Sequence, residues 1–295
     1  KETVVRNSFH RLKELGLILG RYPFIDSIRL GYSDFAFYFS LTPQKKDRTE
    51  DLVNALIKSS SISWIGLLGG SFQYSLSILA ENADQAWKEL SEISKRHGMI
   101  FSQRRLLIRR KFVAFPRKYL ANKRFSHPEF GYGYSELDTK IDQLDHLILK
   151  QLSKKPDQSL RDISEILQQP LTTLSRRVNR LQQSGVIKGY IYRLDLSSLG
   201  FCTFRILLRT RSLSDSLSNK IESFCRNHPH VLRYMEMFGE WDYEIEVEVP
   251  NSKFILTITE QIQSEFMGEI EGIDLLQVFE HLKFVGYPFE SPIRR

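Results

Sequence analysis

Apolar residues recur at helical spacing in two stretches set 169 residues apart. In residues 3–15, Val5, Phe9 and Leu12 share one face, Arg6, Ser8, Arg11 and Lys13 lie elsewhere, and Gly16 follows as a stop. Residues 17–28 then read as an extended segment. In residues 171–184, Leu174, Val178 and Leu181 share one face and Gly185 follows, again with an extended segment after it. Aligned at that shift without a gap, Thr3, Arg11, Leu12, Gly16, Ile18, Gly20, Asp26, Leu30 and Gly31 fall on Thr172, Arg180, Leu181, Gly185, Ile187, Gly189, Asp195, Leu199 and Gly200. Such self-similarity implies a tandem duplication.

After each stretch the pattern predicts strand, helix, strand, strand, helix, strand. In the first copy these fall at 32–41, 48–59, 61–68, 72–80, 83–97 and 99–115, with a turn at Gly69-Gly70 and Asn82 or Asp84 as a helix cap. Residues 201–288 repeat the order. Phe35, Gly70, Tyr74 and Asn82 match Phe204, Gly239, Tyr243 and Asn251. The register then slips by three, Lys111-Phe112-Val113 and Pro116 matching Lys283-Phe284-Val285 and Pro288, which implies a bulge or longer loop in one copy.

The second copy has two further helices in front. Asp138 is expected to cap a helix carrying Ile141, Leu144, Ile148, Leu149 and Leu152. Ser159-x-x-Asp162 reads as a capping box for a short helix of Leu160, Ile163, Ile166 and Leu167. Helix, turn, short helix, turn, basic helix and wing make a winged helix-turn-helix. The helix at 3–15 lacks these two partners. The expectation is an α+β chain: a partial winged helix-turn-helix (1–31), a ferredoxin-like βαββαβ domain (32–116), a linker (117–137), a complete winged helix-turn-helix (138–200), a second βαββαβ domain (201–288) and a tail (289–295).

Composition narrows the class. The chain has 295 residues, 41% of them hydrophobic, enough for real cores. No apolar run approaches the roughly 18–20 residues of a membrane span. There is no signal-peptide pattern at the start, and a first residue of Lys points to a trimmed chain. Cys202 and Cys225 form no CxxC, so a reduced, cytoplasmic setting is expected, with each thiol a small core residue. The net charge of +7 is uneven. Residues 1–137 carry 22 Lys and Arg against 13 Asp and Glu, 138–200 carry 10 against 7, and 201–295 carry 10 against 15. A basic front with an acidic tail points to a polyanion met by part of the molecule.

The strings RRVNRLQQSGVIKGY (176–190) and FGEWDYEIEV (238–247) resemble the Lrp/AsnC family of transcriptional regulators. The resemblance covers about 138–288, with 3–116 as a second, decayed copy. It implies a DNA-binding domain joined to an effector-binding RAM domain. It also implies pairing through RAM domains, here as a homodimer or an intramolecular pseudo-dimer, and a small ligand, commonly an amino acid, between paired domains.

Within that frame double-stranded DNA is the expected partner. Thr172, Thr173 and Arg176, at the N-terminal end of the basic helix, are expected to reach base edges, with Ser175 beside them. Arg177, Arg180 and Lys188 are expected at phosphates, although Arg180, next to the buried Leu181, is equally placed for an internal salt bridge. Pro170 stands where the family has a Ser cap, and it supplies no hydroxyl. In the first copy Arg176 and Arg177 become Asn7 and Ser8, so helix 3–15 is either a weak reader or structural. Gly239, Trp241 and Asp242, with Gly70 in the first copy, are the expected effector site; the alternative is a hairpin that only fixes two strands. Gln73 replaces the acid of Asp242 in the first copy. No cofactor, metal site or catalytic residue is expected, His228-Pro229-His230 lacking a third ligand. Residues 101–124 hold nine Lys or Arg and no acid, by default a solvated edge, otherwise a second nucleic-acid contact or a bed for the acidic domain. The alternative from another class is an enzyme, since sirohaem decarboxylases resemble the same architecture.

Overall fold

The computed structural model describes residues 2–43, 46–98, 100–120, 129–133, 139–155 and 157–290. In chain order the first elements are α1 (Glu2–Glu14), β1 (Ile18–Ile25), β2 (Ser33–Leu41), α2 (Lys46–Lys58), β3 (Ile62–Gly69), β4 (Tyr74–Ala80), α3 (Ala83–His97), β5 (Phe101–Ala114) and β6 (Phe130–Tyr132). There follow α4 (Gln143–Lys154), α5 (Leu160–Leu167), α6 (Leu171–Gln183), β7 (Ile187–Leu194), β8 (Cys202–Thr210), α7 (Asp215–Asn227), β9 (Val231–Phe238), β10 (Tyr243–Val249), α8 (Phe254–Glu265) and β11 (Ile270–Phe284). The chain forms two units, each assembled from distant segments. One gathers Lys1–Gly31, Glu136–Gly200 and Val285–Arg295; the other gathers Tyr32–Ser135 and Phe201–Phe284.

The helix-turn-helix unit is organised by its caps. Asp142 accepts from the Asp145 amide at 3.0 Å and Asp145 returns the bond, so α4 starts at Gln143 and not earlier. Ile141 therefore precedes the helix, and Asp138, expected as the cap, lies outside the described residues. The Ser159–Asp162 box opens α5 as its spacing predicts. Ile148, Leu149 and Leu152 of α4, Ile163 of α5, and Leu174, Val178 and Leu181 of α6 are all buried. The wing is a two-stranded antiparallel ribbon made from both ends of the 169-residue shift: β1 pairs with β7, from Ile18 opposite Leu194 to Ile25 opposite Ile187. By contrast α1 buries none of its residues. Val5 and Leu12, the counterparts of Leu174 and Leu181, are 69% and 40% exposed. After β11 the chain returns to this unit, burying Tyr287 and Phe289.

In the sheet unit the βαββαβ order occurs twice. Strand order is β5-β2-β4-β3 in one block and β11-β8-β10-β9 in the other, all antiparallel. The blocks join at both edges, β3 to β11 and β5 to β9, so eight strands close on themselves. Helices α2 and α3 cover the outer face of the first block around Phe37, Phe39, Leu52, Leu56 and Leu90. Helices α7 and α8 do the same in the second around Ile221, Ile245, Ile258 and Ile262. Cys225 is buried in that core and Cys202 half-buried beside it, both free thiols. The inner faces enclose a third core of Ala36, Tyr38, Leu68, Phe72, Leu107, Leu207, Met235, Met237, Trp241 and Leu276. Strand β11 shifts register against β3 between Val278 and Glu280 and again between His281 and Lys283.

Two pieces of the stretch 117–137 are described, and both pack on the sheet unit. Arg117 donates to both oxygens of Glu248, at 2.6 and 3.1 Å, and Tyr119 stacks on Phe201 and on His230. Strand β6 pairs with the end of β5.

Candidate nucleic-acid interface

Helix α6 opens without a side-chain cap, Pro170 holding the N-cap position with no hydroxyl to offer. Its first two turns are open to solvent: Thr172 and Arg176 are exposed, Thr173 and Ser175 half-exposed. Among the described residues Arg176 makes no ion pair. The other three expected cations are engaged. Arg177 pairs with Asp142 and, at 3.2 Å, with Asp145. Arg180 pairs with Asp145, which is fully buried. Lys188 pairs at 3.0 Å with Asp26, itself 2% exposed, on the neighbouring strand-end of the ribbon. Partial burial acts to raise the Asp142 carboxyl, but the Arg177 and Asp145 donors outweigh it and hold it below the usual range. The sequence signal for these pairs was present in Asp142 and Asp145 at the start of α4, three residues apart; only the fold shows which cations they meet.

Around the ribbon, Arg21 lies over the Tyr190 ring at 4.4 Å, Phe9 meets Tyr192 edge-on at 5.6 Å, and Lys13 pairs with Asp157 at 2.8 Å. Of these, Phe9 seats α1 against the wing, and Lys13 ties the end of α1 to the turn before α5. Regrouping the charges by unit changes the picture drawn from the linear sequence. The helix-turn-helix unit carries 18 Lys and Arg against 12 Asp and Glu, a net of +6, and the sheet unit 24 against 23, a net of +1.

The near-neutrality of the sheet unit has a local cause. Much of the basic run in and just after β5 is paired with acids. Arg105 pairs with Glu240, Arg110 with Glu236, Lys111 with Glu222, and Arg117 with Glu248. Inside, Arg109 bonds Asp34 at 3.1 Å and reaches Glu244 at 3.5 Å, while Arg205 lies 2.7 Å from the other oxygen of Glu244. Tyr38 donates to Glu244 at 2.7 Å. Burial would raise the Glu244 carboxyl; Arg205 and Arg109 overcome that and keep it below the usual range. Within the described part of 101–124, Arg105, Arg109, Arg110, Lys111 and Arg117 meet acids of the second block, while Arg104 stays exposed.

The four expected effector residues sit at two hairpin tips on the inner side. Trp241 is 2% exposed, donates its Nε1 to Asp274 at 2.7 Å, and meets Phe72, its counterpart in the first block, edge-on at 5.9 Å. Asp242 accepts from the Thr210 amide at 2.7 Å and its hydroxyl at 2.9 Å. Gln73 accepts from the Leu41 amide at 2.9 Å. Leu41 is the 169-shift counterpart of Thr210, so acid and amide fasten the same strand end. Gly70 has φ +121, and a Cβ there would lie 2.9 Å from the Leu275 carbonyl; Gly239, at φ +154, is crowded by Leu107. His228 bonds Gln261 and His230 bonds the Glu248 carbonyl; among the described residues no group of three His, Cys, Asp or Glu side chains is arranged to hold a metal.

A family model described as winged helix-turn-helix DNA-binding matches residues 141–188, which span α4 to the start of β7. The HTH-type transcriptional regulator FL11 of Pyrococcus horikoshii is 25% identical over 154 residues, 52% of this chain and 97% of that protein. The DNA-binding transcriptional activator DecR of Escherichia coli K12 is 27% identical over 114 residues, 38% of this chain and 75% of its own. The likeness is to regulators of the Lrp/AsnC type. FL11 aligns almost end to end with about half of this chain. The siroheme decarboxylase NirDL shares the fold over 99% of this chain and 85% of its own, with a TM-score of 0.63 at 13% identity. No helix among the described residues is long and apolar enough to cross a membrane.

Proposed function

We propose that the chain is a cytoplasmic, DNA-binding transcriptional regulator built from two Lrp/AsnC-type units in tandem, with α6 as its main reading helix. The observation that carries this is the charge partition: nearly all of the net +7 lies on the unit that holds α6, while the sheet unit neutralises itself. A positive unit with an exposed helix N-terminus is what a duplex attracts and what a major groove admits. Thr172 is the base-reading candidate, with Thr173 and Ser175 at the flank, and Arg176, without an ion pair among the described residues, is the cation this helix offers to a phosphate. The closed eight-strand sheet supports pairing of the two blocks within one chain. Gly70, Gly239, Trp241 and Asp242 support a structural role at the hairpin tips, and the proposal places no effector on them.

The test is anisotropy titration of the full chain against duplex from upstream of its own gene, from about 50 to 200 mM salt. Affinity is expected to fall steeply with salt, and Arg176→Ala is expected to reduce the logarithmic slope by about 0.9, one phosphate's worth. Absence of salt-sensitive binding to any duplex overturns the reading.

A second reading rests on the whole-chain likeness to NirDL, a related structure of which is described as a complex with an iron-uroporphyrin III analogue. A tetrapyrrole presents several carboxylates and requires free cations to meet them. In the sheet unit Arg105, Arg109, Arg110 and Arg205 are already paired with carboxylates. The enzyme reading predicts a Soret-type absorbance change on adding an iron porphyrin carrying acidic side chains; an unchanged spectrum removes it.

A further inference from the structure

We propose that Asp145 is the positioning residue of α6, and that Arg177 and Arg180 serve Asp145 and not DNA phosphates. The inference rests on the reading of α6 as a DNA-contacting helix. Asp145 stands in the first turn of α4 and has no exposed surface. Its Oδ2 accepts from the Asp142 amide at 3.2 Å and from Arg180, and its Oδ1 accepts from Arg177 at 3.2 Å. One carboxylate is thus fastened to its own helix and to two side chains of another.

Leu174, Val178 and Leu181 hold α6 in the core, yet apolar contact is non-directional and tolerates a small rotation of the helix about its axis. Arg177 and Arg180, three residues apart, lie on adjacent turns of one face. Two charge-assisted bonds from that face to a fixed, buried anion set the rotation, and with it the direction in which Thr172 and Arg176 point. The charges also close locally: Arg177 and Arg180 are balanced by Asp142 and Asp145, leaving Arg176 as the uncompensated cation of the helix among the described residues. The same arrangement recurs on the wing, where buried Asp26 takes Lys188.

A helix that kept three phosphate contacts would contribute about 2.7 to the salt slope; with Arg176 alone it contributes about 0.9. The experiment measures that slope for the full chain, Arg176→Ala, Arg177→Ala, Asp142→Ala/Arg177→Ala and Asp145→Asn, with far-UV circular dichroism and Tm as controls for folding. Arg176→Ala is expected to lower the slope by about 0.9 and Arg177→Ala to leave it unchanged. The double variant is expected to recover any affinity that Arg177→Ala loses by uncovering Asp142. Asp145→Asn, where folded, is expected to steepen the slope as the two arginines become available, and to relax discrimination between sequences. An equal loss of slope in Arg177→Ala and Arg176→Ala overturns the proposal while leaving the functional reading intact. If Asp145→Asn does not fold, the Arg177→Ala comparison decides alone. A full chain without salt-dependent binding overturns both readings at once.

Discussion

His146 is a histidine enclosed on every side. It lies on α4, fully buried, with one ring nitrogen 3.0 Å from the Tyr287 hydroxyl and the other 3.2 Å from the Glu290 carbonyl. Burial pushes its pKa below the ordinary 6.5; the Glu290 carbonyl opposes this, and Lys150, one turn on, adds to the downward push. A depressed folded pKa means that the unfolded chain takes up a proton which the folded chain refuses. Stability is therefore whole above about 6.5 and declines as pH falls below it, down to the folded value. The helix-turn-helix unit is expected to lose Tm as pH falls below about 6.5, and His146→Gln is expected to flatten that loss; a parallel decline in both proteins removes His146 as the cause. In the sheet unit the comparable residue is Arg109, inside the closed sheet between Asp34 and Glu244. Arg109→Ala leaves two buried carboxylates short of a cation, and urea unfolding is expected to show a loss of about 3–5 kcal/mol.

At the scale of elements, the local rules were readable and the long-range ones were not. Helical spacing located α1, α3 and α6. The Ser159–Asp162 spacing announced a cap that forms, and Pro170 announced a helix start without one. The start of α4 was read too early because Asp138 and Asp142 are equally good caps in isolation; the reciprocal bond with Asp145 selects the second. The role of Asp242 was hidden for another reason. An acid beside a glycine in a turn looks like a ligand group, and its partner, the Thr210 amide, is 32 residues away. Comparison with Gln73 supplies the test. Asp242→Gln is expected to keep stability within about 0.5 kcal/mol, because Gln73 performs the same fastening in the first block. Asp242→Ala is expected to cost about 1–3 kcal/mol by leaving the Thr210 donors unmatched, measured by chemical denaturation. Equal losses in the two variants would mean that the acid does something an amide does not.

At the scale of the whole molecule, charge decides which edges meet. The basic run 104–111 and the acids of the second block gave the linear sequence its lopsided balance, and that imbalance first read as a surface for a polyanion. The sequence holds the charges but not the pairings, since Arg110 and Glu236 stand 126 positions apart. Reversing one partner, Glu236→Lys, is expected to destabilise the sheet unit, and adding Arg110→Glu is expected to recover part of the loss, read as Tm. The closed ring also dictates an order of events during synthesis. Its joints tie Ile108 to Phe238 and Gly69 to Gln277, so the β5 edge of the first block waits unpaired for β9 and its β3 edge waits until the final strand has left the ribosome. Loop closure over such separations is slow, and closure of the ring is expected to limit refolding. The vulnerable species is then the half-made chain, whose open β3 and β5 edges are templates for neighbours on the same message.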